Sequence, residues 1–246
     1  KQTMFPGVFQ ISVGAYGKTF KPLITSASLA AVILTSSSAI SVEHGDWLVR
    51  ARLVNIDPNV SSGEVIDLTT TPPTAIPGYS IDVDSTITLE VDVTYVFTNN
   101  FGVEFMLAIA THDVKGTGSL SSLGQIGEAT IQLPALIAQY HFMPNNNVRP
   151  YAGAGIGYVF FYDEKITDSL TSGATSTKLD VDNTGGFLVQ AGVDVGINEN
   201  WFFNFDAKYF WLNGTTATIQ ADDVDAVKVD FDLDPLVLGL GVGYRF

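Results

Sequence analysis

Between Ile87 and Phe97 every odd-numbered residue is apolar, and the even positions are Thr88, Glu90, Asp92, Thr94 and Val96. A two-residue period marks a strand whose two faces meet different surroundings. The same scheme returns in Trp201–Trp211, with aromatic residues near both ends of the apolar face. It returns again in Leu236, Leu238, Leu240, Val242, Tyr244 and Phe246. In all, eight such runs follow Asp46, starting near Trp47, Ile87, Phe101, Ile131, Val148, Phe187, Trp201 and Leu236. Each spans roughly ten residues, the length of a tilted strand that crosses a bilayer. Charged residues make up 15% of the chain, against about 25% in an ordinary soluble domain. The longest apolar stretch, Leu23 to Leu34, falls short of the ~20 residues of a spanning helix. A closed barrel is the architecture that hides this much apolarity in alternate residues.

The connections support that reading. Thr98-Asn99-Asn100, Pro144-Asn145-Asn146-Asn147 and Asn198-Glu199-Asn200 are tight turn sequences. Long connections near Asp57–Ser85, His112–Glu128, Asp163–Gly185 and Asn213–Asp230 alternate with them. The expected fold is therefore all-β: an eight-stranded antiparallel transmembrane barrel of the outer-membrane type, with short periplasmic turns and long extracellular loops. A soluble lipocalin-like barrel would show the same period with its faces reversed. Glycines on the polar face, Gly153, Gly155 and Gly157 in one strand and Gly239, Gly241 and Gly243 in another, suit a crowded lumen better than a water-facing wall. The alternation up to a terminal Phe246 resembles the assembly signal that the barrel-insertion machinery reads.

Residues 1–41 read as an export signal with an extended n-region, removed from the mature barrel at 42–246. Lys18 and Lys21 precede the apolar run, and Ala39-Ile40-Ser41 forms a small-x-small site. The leader holds three lysines and no acids, so the formal charge of −14 becomes −17 without it. Such a surface argues against nucleic acid as a partner. There are no cysteines, which excludes disulfides, thiolate metal sites and a cysteine nucleophile. No phosphate loop, metal spacing or cofactor fingerprint appears, so no metal and no cofactor are expected. An enzyme would need a nucleophile meeting a base. His112, beside Asp113 and near Ser119, Ser121 and Ser122, is the sole candidate on the outer side, and the chain is read as not an enzyme.

Several segments together resemble the OmpW family. They are Asn99-Asn100-Phe101-Gly102-Val103-Glu104, Leu133-Pro134 leading into Ala138-Gln139-Tyr140-His141-Phe142, and Val148-Arg149-Pro150-Tyr151-Ala152-Gly153-Ala154-Gly155-Ile156. Gly192-Val193-Asp194, Asn200-Trp201, Asp234-Pro235 and the ending Gly243-Tyr244-Arg245-Phe246 continue the match across Gly45–Phe246. The chain departs at Leu133-Pro134-Ala135, where the family often has a second proline, and in a first loop carrying Pro72, Pro73 and Pro77. The resemblance implies a barrel in the bacterial outer membrane that passes small hydrophobic molecules, with a lateral door in its wall. Outer-membrane lipid and lipopolysaccharide are then the expected neighbours.

Inward parity sorts the lumen by height. Arg50, Arg52, Glu90, Asp92, Glu104, Asp194, Asp206 and Lys208 lie low and in the middle, with His141, Arg149 and Arg245. Arg50 and Arg52 should face Glu90 and Asp92, and Asp194 should reach Lys208. Eight strands leave room for side chains alone, so these charges are expected to form a packed ion-pair plug. Above it, Val54, Met106, Ala108, Val159, Phe161, Phe210 and Val237 are expected to line an apolar funnel that takes a greasy molecule from outside. Passage downward would displace paired charges, which is costly, so a sideways exit is favoured. Pro134 marks the expected opening, since proline cannot donate to a ladder. Ile131 and Leu133 against Leu136, Ala138, Tyr140 and Phe142 read as a frame shift, the mark of a bulge at Pro134-Ala135. The competing function is a structural or interaction barrel whose acidic stretch, Asp222 to Asp234, binds a partner.

Overall fold

The computed structural model describes residues 41–167 and 176–246, so most of the proposed leader lies outside the described residues. Eight strands close the barrel. They are β1 (Trp47–Asp57), β5 (Thr86–Val96), β6 (Phe101–Gly118), β7 (Gln125–His141), β8 (Val148–Ile166), β10 (Thr184–Gly196), β11 (Trp201–Ala221) and β13 (Leu236–Arg245). Each is antiparallel to the next, and β1 pairs with both β5 and β13, which leaves the barrel no free edge.

The faces sort as the two-residue period requires. Along β5, Leu89 is 57% exposed and its neighbour Glu90 is fully buried. No helix of the described residues is long and apolar enough to cross a membrane. The outward apolar belt is bordered by aromatic pairs such as Trp47–Tyr95 and Trp201–Tyr244 on the short-turn side and Tyr209–Trp211 on the other. Such amphipathic rings suit the two membrane interfaces. The short turns are built by their own side chains. Asn198 Oδ1 accepts hydrogen bonds from the backbone N–H groups of Asn200 (3.0 Å) and Trp201 (2.9 Å), and Thr98 Oγ1 does the same for Asn100 and Phe101.

The long connections differ from expectation. They contain five more strands among the described residues: β2 (Val60–Asp67), β3 (Thr74–Ile76), β4 (Tyr79–Val83), β9 (Thr177–Val181) and β12 (Val224–Leu233). These join the extended ends of β6 and β11. The wall therefore rises above the apolar belt as sheet, and β11 runs for 21 residues instead of about ten.

The lumen glycines stand opposite large side chains. A Cβ on Gly243 would come within 2.2 Å of the Phe202 ring, and one on Gly157 would lie 2.9 Å from Phe210. Gly157→Ala is accordingly expected to destabilise the barrel by about 1–3 kcal/mol, the usual cost of overpacking. Urea unfolding in lipid vesicles would measure it, and an unchanged midpoint would mean that Phe210 moves aside without strain.

Candidate functional site

From the short-turn end upward, the lumen is filled in layers. Val42, Leu48, Val96 and Phe202 form a buried apolar floor. Over it lies the charged plug. Arg50 is held by Asp92 (3.0 Å), Glu104 (3.4 Å) and Asp194 (3.1 Å). Arg52 pairs with Glu90 (2.5 Å) and Asp92 (2.6 Å), and Lys208 with Glu90 (2.8 Å) and Asp206 (2.5 Å). Neutral groups complete the network. Gln139 donates to Glu104 (2.7 Å), Gln190 to Asp206 (2.9 Å), Asn204 to Asp194 (2.7 Å) and the Tyr151 hydroxyl to Asp206 (2.7 Å). A buried charge is tolerated where it is paired, and each of the eight charged side chains here has a partner of opposite sign, while Gln139 Oε1 accepts no hydrogen bond.

The eight plug residues are thus brought together, with one pairing different from expectation. Asp194 lies with Arg50 and, at 4.0 Å, Arg149, and does not reach Lys208. The register explains this. Asp194 stands opposite Asn204, and Lys208 opposite Gln190, a separation of four residues or about 13 Å along the strand. Parity had already turned Gln139, Gln190 and Asn204 inward. Being uncharged, they are not among the residues expected in the plug.

Above the plug, Val54, Met106, Ala108, Phe210 and Val237 are buried together as a packed apolar layer. They do not line open space. The cavity, of about 120 Å³, begins one step higher. Of the seven predicted funnel residues only Val159 and Phe161 border it. Ile56, Ile131 and Leu133 from the barrel join them, and Val181, Val229 and Phe231 from β9 and β12 supply part of its upper wall. Its volume approaches that of apolar cavities that accept molecules the size of benzene.

Pro134 is where the expectation needs most correction. Leu133, Ala135 and Ile137 are all buried while Leu136 and Ala138 are exposed, so a single frame runs through the proline. The β6–β7 ladder is unbroken there, with Leu107 opposite Pro134. On the other side the β7–β8 pairing stops after Gln132–Phe160 and resumes in the same register at Ala135–Gly157. No residue is inserted, so Pro134 makes no bulge. It leaves a gap in the ladder, where its missing N–H falls on the β8 side. The bulge of this strand pair lies higher, between Glu128 and Thr130 on β7, where β8 carries the extra residue around Asp163 at φ 52°. Leu133 and Val159, which face each other across the gap, both line the cavity.

A scan against family models matches residues 43–246 to the OmpW family. The chain belongs to the OmpW family. It is 33% identical to outer membrane protein W of Vibrio cholerae over 216 residues, covering 87% of this chain and 94% of that one. The crystal structure of OprG from Pseudomonas aeruginosa superposes with a TM-score of 0.76 at 30% identity, covering 85% of this chain and 99% of OprG. The solid-state NMR structure of the outer membrane protein AlkL in lipid bilayers superposes with a TM-score of 0.61 at 26% identity, covering 87% and 95%. This OmpW-family chain is an outer-membrane barrel, and its exposed apolar belt is the surface that meets lipid.

Within this OmpW-family barrel the histidines are widely separated. His44 is exposed at the lower end, where its Nδ1 meets the Phe97 carbonyl at 2.5 Å. His141 is buried against Tyr151, with 5.6 Å between ring centroids. His112 lies above the belt, next to the Thr111–Thr130 hydroxyl pair (3.0 Å) that replaces apolar residues on the outer face. Its Nδ1 is 2.9 Å from the Asp84 carbonyl. A carbonyl only accepts, so Nδ1 carries the proton. Burial lowers the pKa of the ring, against the opposing effects of that carbonyl and of Asp113. Asp113 itself is exposed on the outer face and accepts from Gln125 Nε2 (2.8 Å). The His112–Asp113 pairing that acid–base catalysis would use is therefore not formed. No group of three or more His, Cys, Asp or Glu residues able to hold a metal occurs among the described residues.

Proposed function

We propose that the protein carries small hydrophobic molecules from the outside into the apolar cavity and releases them sideways into the bilayer between β7 and β8. One observation carries this reading. Leu133 and Val159 are at once the cavity wall and the flanks of the unpaired stretch of ladder. Two physical arguments support it. The plug blocks a route to the periplasm, because a greasy molecule would have to separate buried ion pairs, and breaking one by removing a partner costs about 3–5 kcal/mol. The β7–β8 ladder is interrupted at Leu133 and Pro134, so parting the strands there costs less than where the pairing is continuous.

The test is uptake of a medium-chain hydrophobic probe by cells whose outer membrane admits it slowly. Expression of the protein should raise the rate, and Pro134→Val, which restores the missing donor, should remove most of that increment. A rate unaffected by the protein would refute transport. A folded Pro134→Val variant with full uptake would refute exit at this gap.

A further inference from the structure

Among the described residues that line the cavity, His112 is the one with an ionisable or polar side chain. The other lining residues are aliphatic or aromatic, apart from Pro58, Pro235 and Gly127. With the ring proton on Nδ1 and committed to the Asp84 carbonyl, Nε2 holds a lone pair. That nitrogen is buried and has no hydrogen-bond partner among the described residues, and His112 as a whole is only 4% exposed. Buried polar atoms without partners are rare and call for an explanation. The apolar side chains around the cavity offer this nitrogen no donor, whereas a bound molecule with a hydroxyl does.

We propose that the cavity recognises an apolar molecule bearing one hydrogen-bond donor, an alcohol in preference to the hydrocarbon of the same size, with His112 Nε2 accepting from the ligand hydroxyl. The inference rests on the reading of this cavity as the entry chamber and adds its substrate class. Asp84 closes the link between β4 and β5. Its carbonyl fixes the ring from behind, and its own N–H donates to the Asp113 carbonyl at 3.0 Å, so the acceptor is held in place before a ligand arrives. A site built around a hydrogen-bonding group discriminates against the analogue that lacks its partner far more than an apolar wall does.

The experiment compares cyclohexanol with methylcyclohexane, which have equal numbers of heavy atoms. Each competes with a fluorescent apolar probe for the full chain in lipid nanodiscs. The quantity read is the ratio of the two affinities, in which partitioning into the bilayer cancels between variants. His112→Leu should lower the alcohol-to-hydrocarbon ratio about fivefold to tenfold, the size of one neutral hydrogen bond. His112→Gln, which keeps an acceptor, should retain more of the ratio than leucine does. In the wild type, cyclohexanol should also shift the ring-nitrogen signal of His112 in ¹⁵N-histidine-labelled protein, and methylcyclohexane should leave it in place. The chain has three histidines, so the signal can be assigned. An unchanged ratio in His112→Leu with both ligands still bound would overturn this inference and leave the transport reading standing. Failure of both ligands to displace the probe from the wild type would overturn the two together.

Discussion

Arg50→Leu is expected to destabilise the folded barrel by about 3–5 kcal/mol, the penalty for removing one partner from a buried ion-pair network. Asp92, Glu104 and Asp194 all contact this guanidinium, and all four side chains are fully shielded from solvent. Leucine fills part of the volume but leaves three carboxylates short of a cation. The loss should appear as a lower urea midpoint for the barrel in lipid vesicles. Adding Asp194→Leu should recover part of it, because an apolar pair replaces an uncompensated charge. A single variant as stable as the wild type would show that the plug reorganises around the vacancy and is not a rigid barrier.

The plug and the barrel were legible in the sequence for the same reason. Lipid demands an apolar residue at every outward position, so Glu90, Asp92, Asp206 and Lys208 could face only inward, and parity alone places them. The strand starts at Trp47, Phe101, Val148, Trp201 and Leu236 also agree with the structure, because turn residues such as Asn198 punctuate the pattern chemically.

Above the plug the same logic loses its contrast. The interior there is as apolar as the lipid outside. Ile131 and Leu133 therefore looked outward when both face the cavity, and a continuous strand read as a bulge at Pro134. Proline's missing donor was legible. The side of the strand on which it would be missed was not, because that depends on the ladder. The five additional strands were hidden differently. In β12, Val227, Val229, Phe231 and Leu233 alternate with Lys228, Asp230 and Asp232, a two-residue period as clear as that of β5. The acids read as a solvated, partner-binding stretch, whereas the apolar residues between them wall the cavity. β2 and β3 carry too little alternation to be found alone, and take their form from pairing with β12. The cavity was consequently expected one layer too low, at Met106 and Phe210, where the structure packs solid.

The most direct test of sideways release is a reversible lock across the gap. The chain has no cysteine, so Leu133→Cys with Val159→Cys introduces one pair, at inward positions that the register on either side of the gap places opposite each other. Directly opposed residues of antiparallel strands bring their Cβ atoms to about 4.5–5.5 Å, within reach of a disulfide after a small adjustment. Uptake of the hydrophobic probe should be lost in oxidised cells and return on reduction of the same cells. Uptake that stays at the wild-type rate while the disulfide is fully formed would contradict passage between β7 and β8.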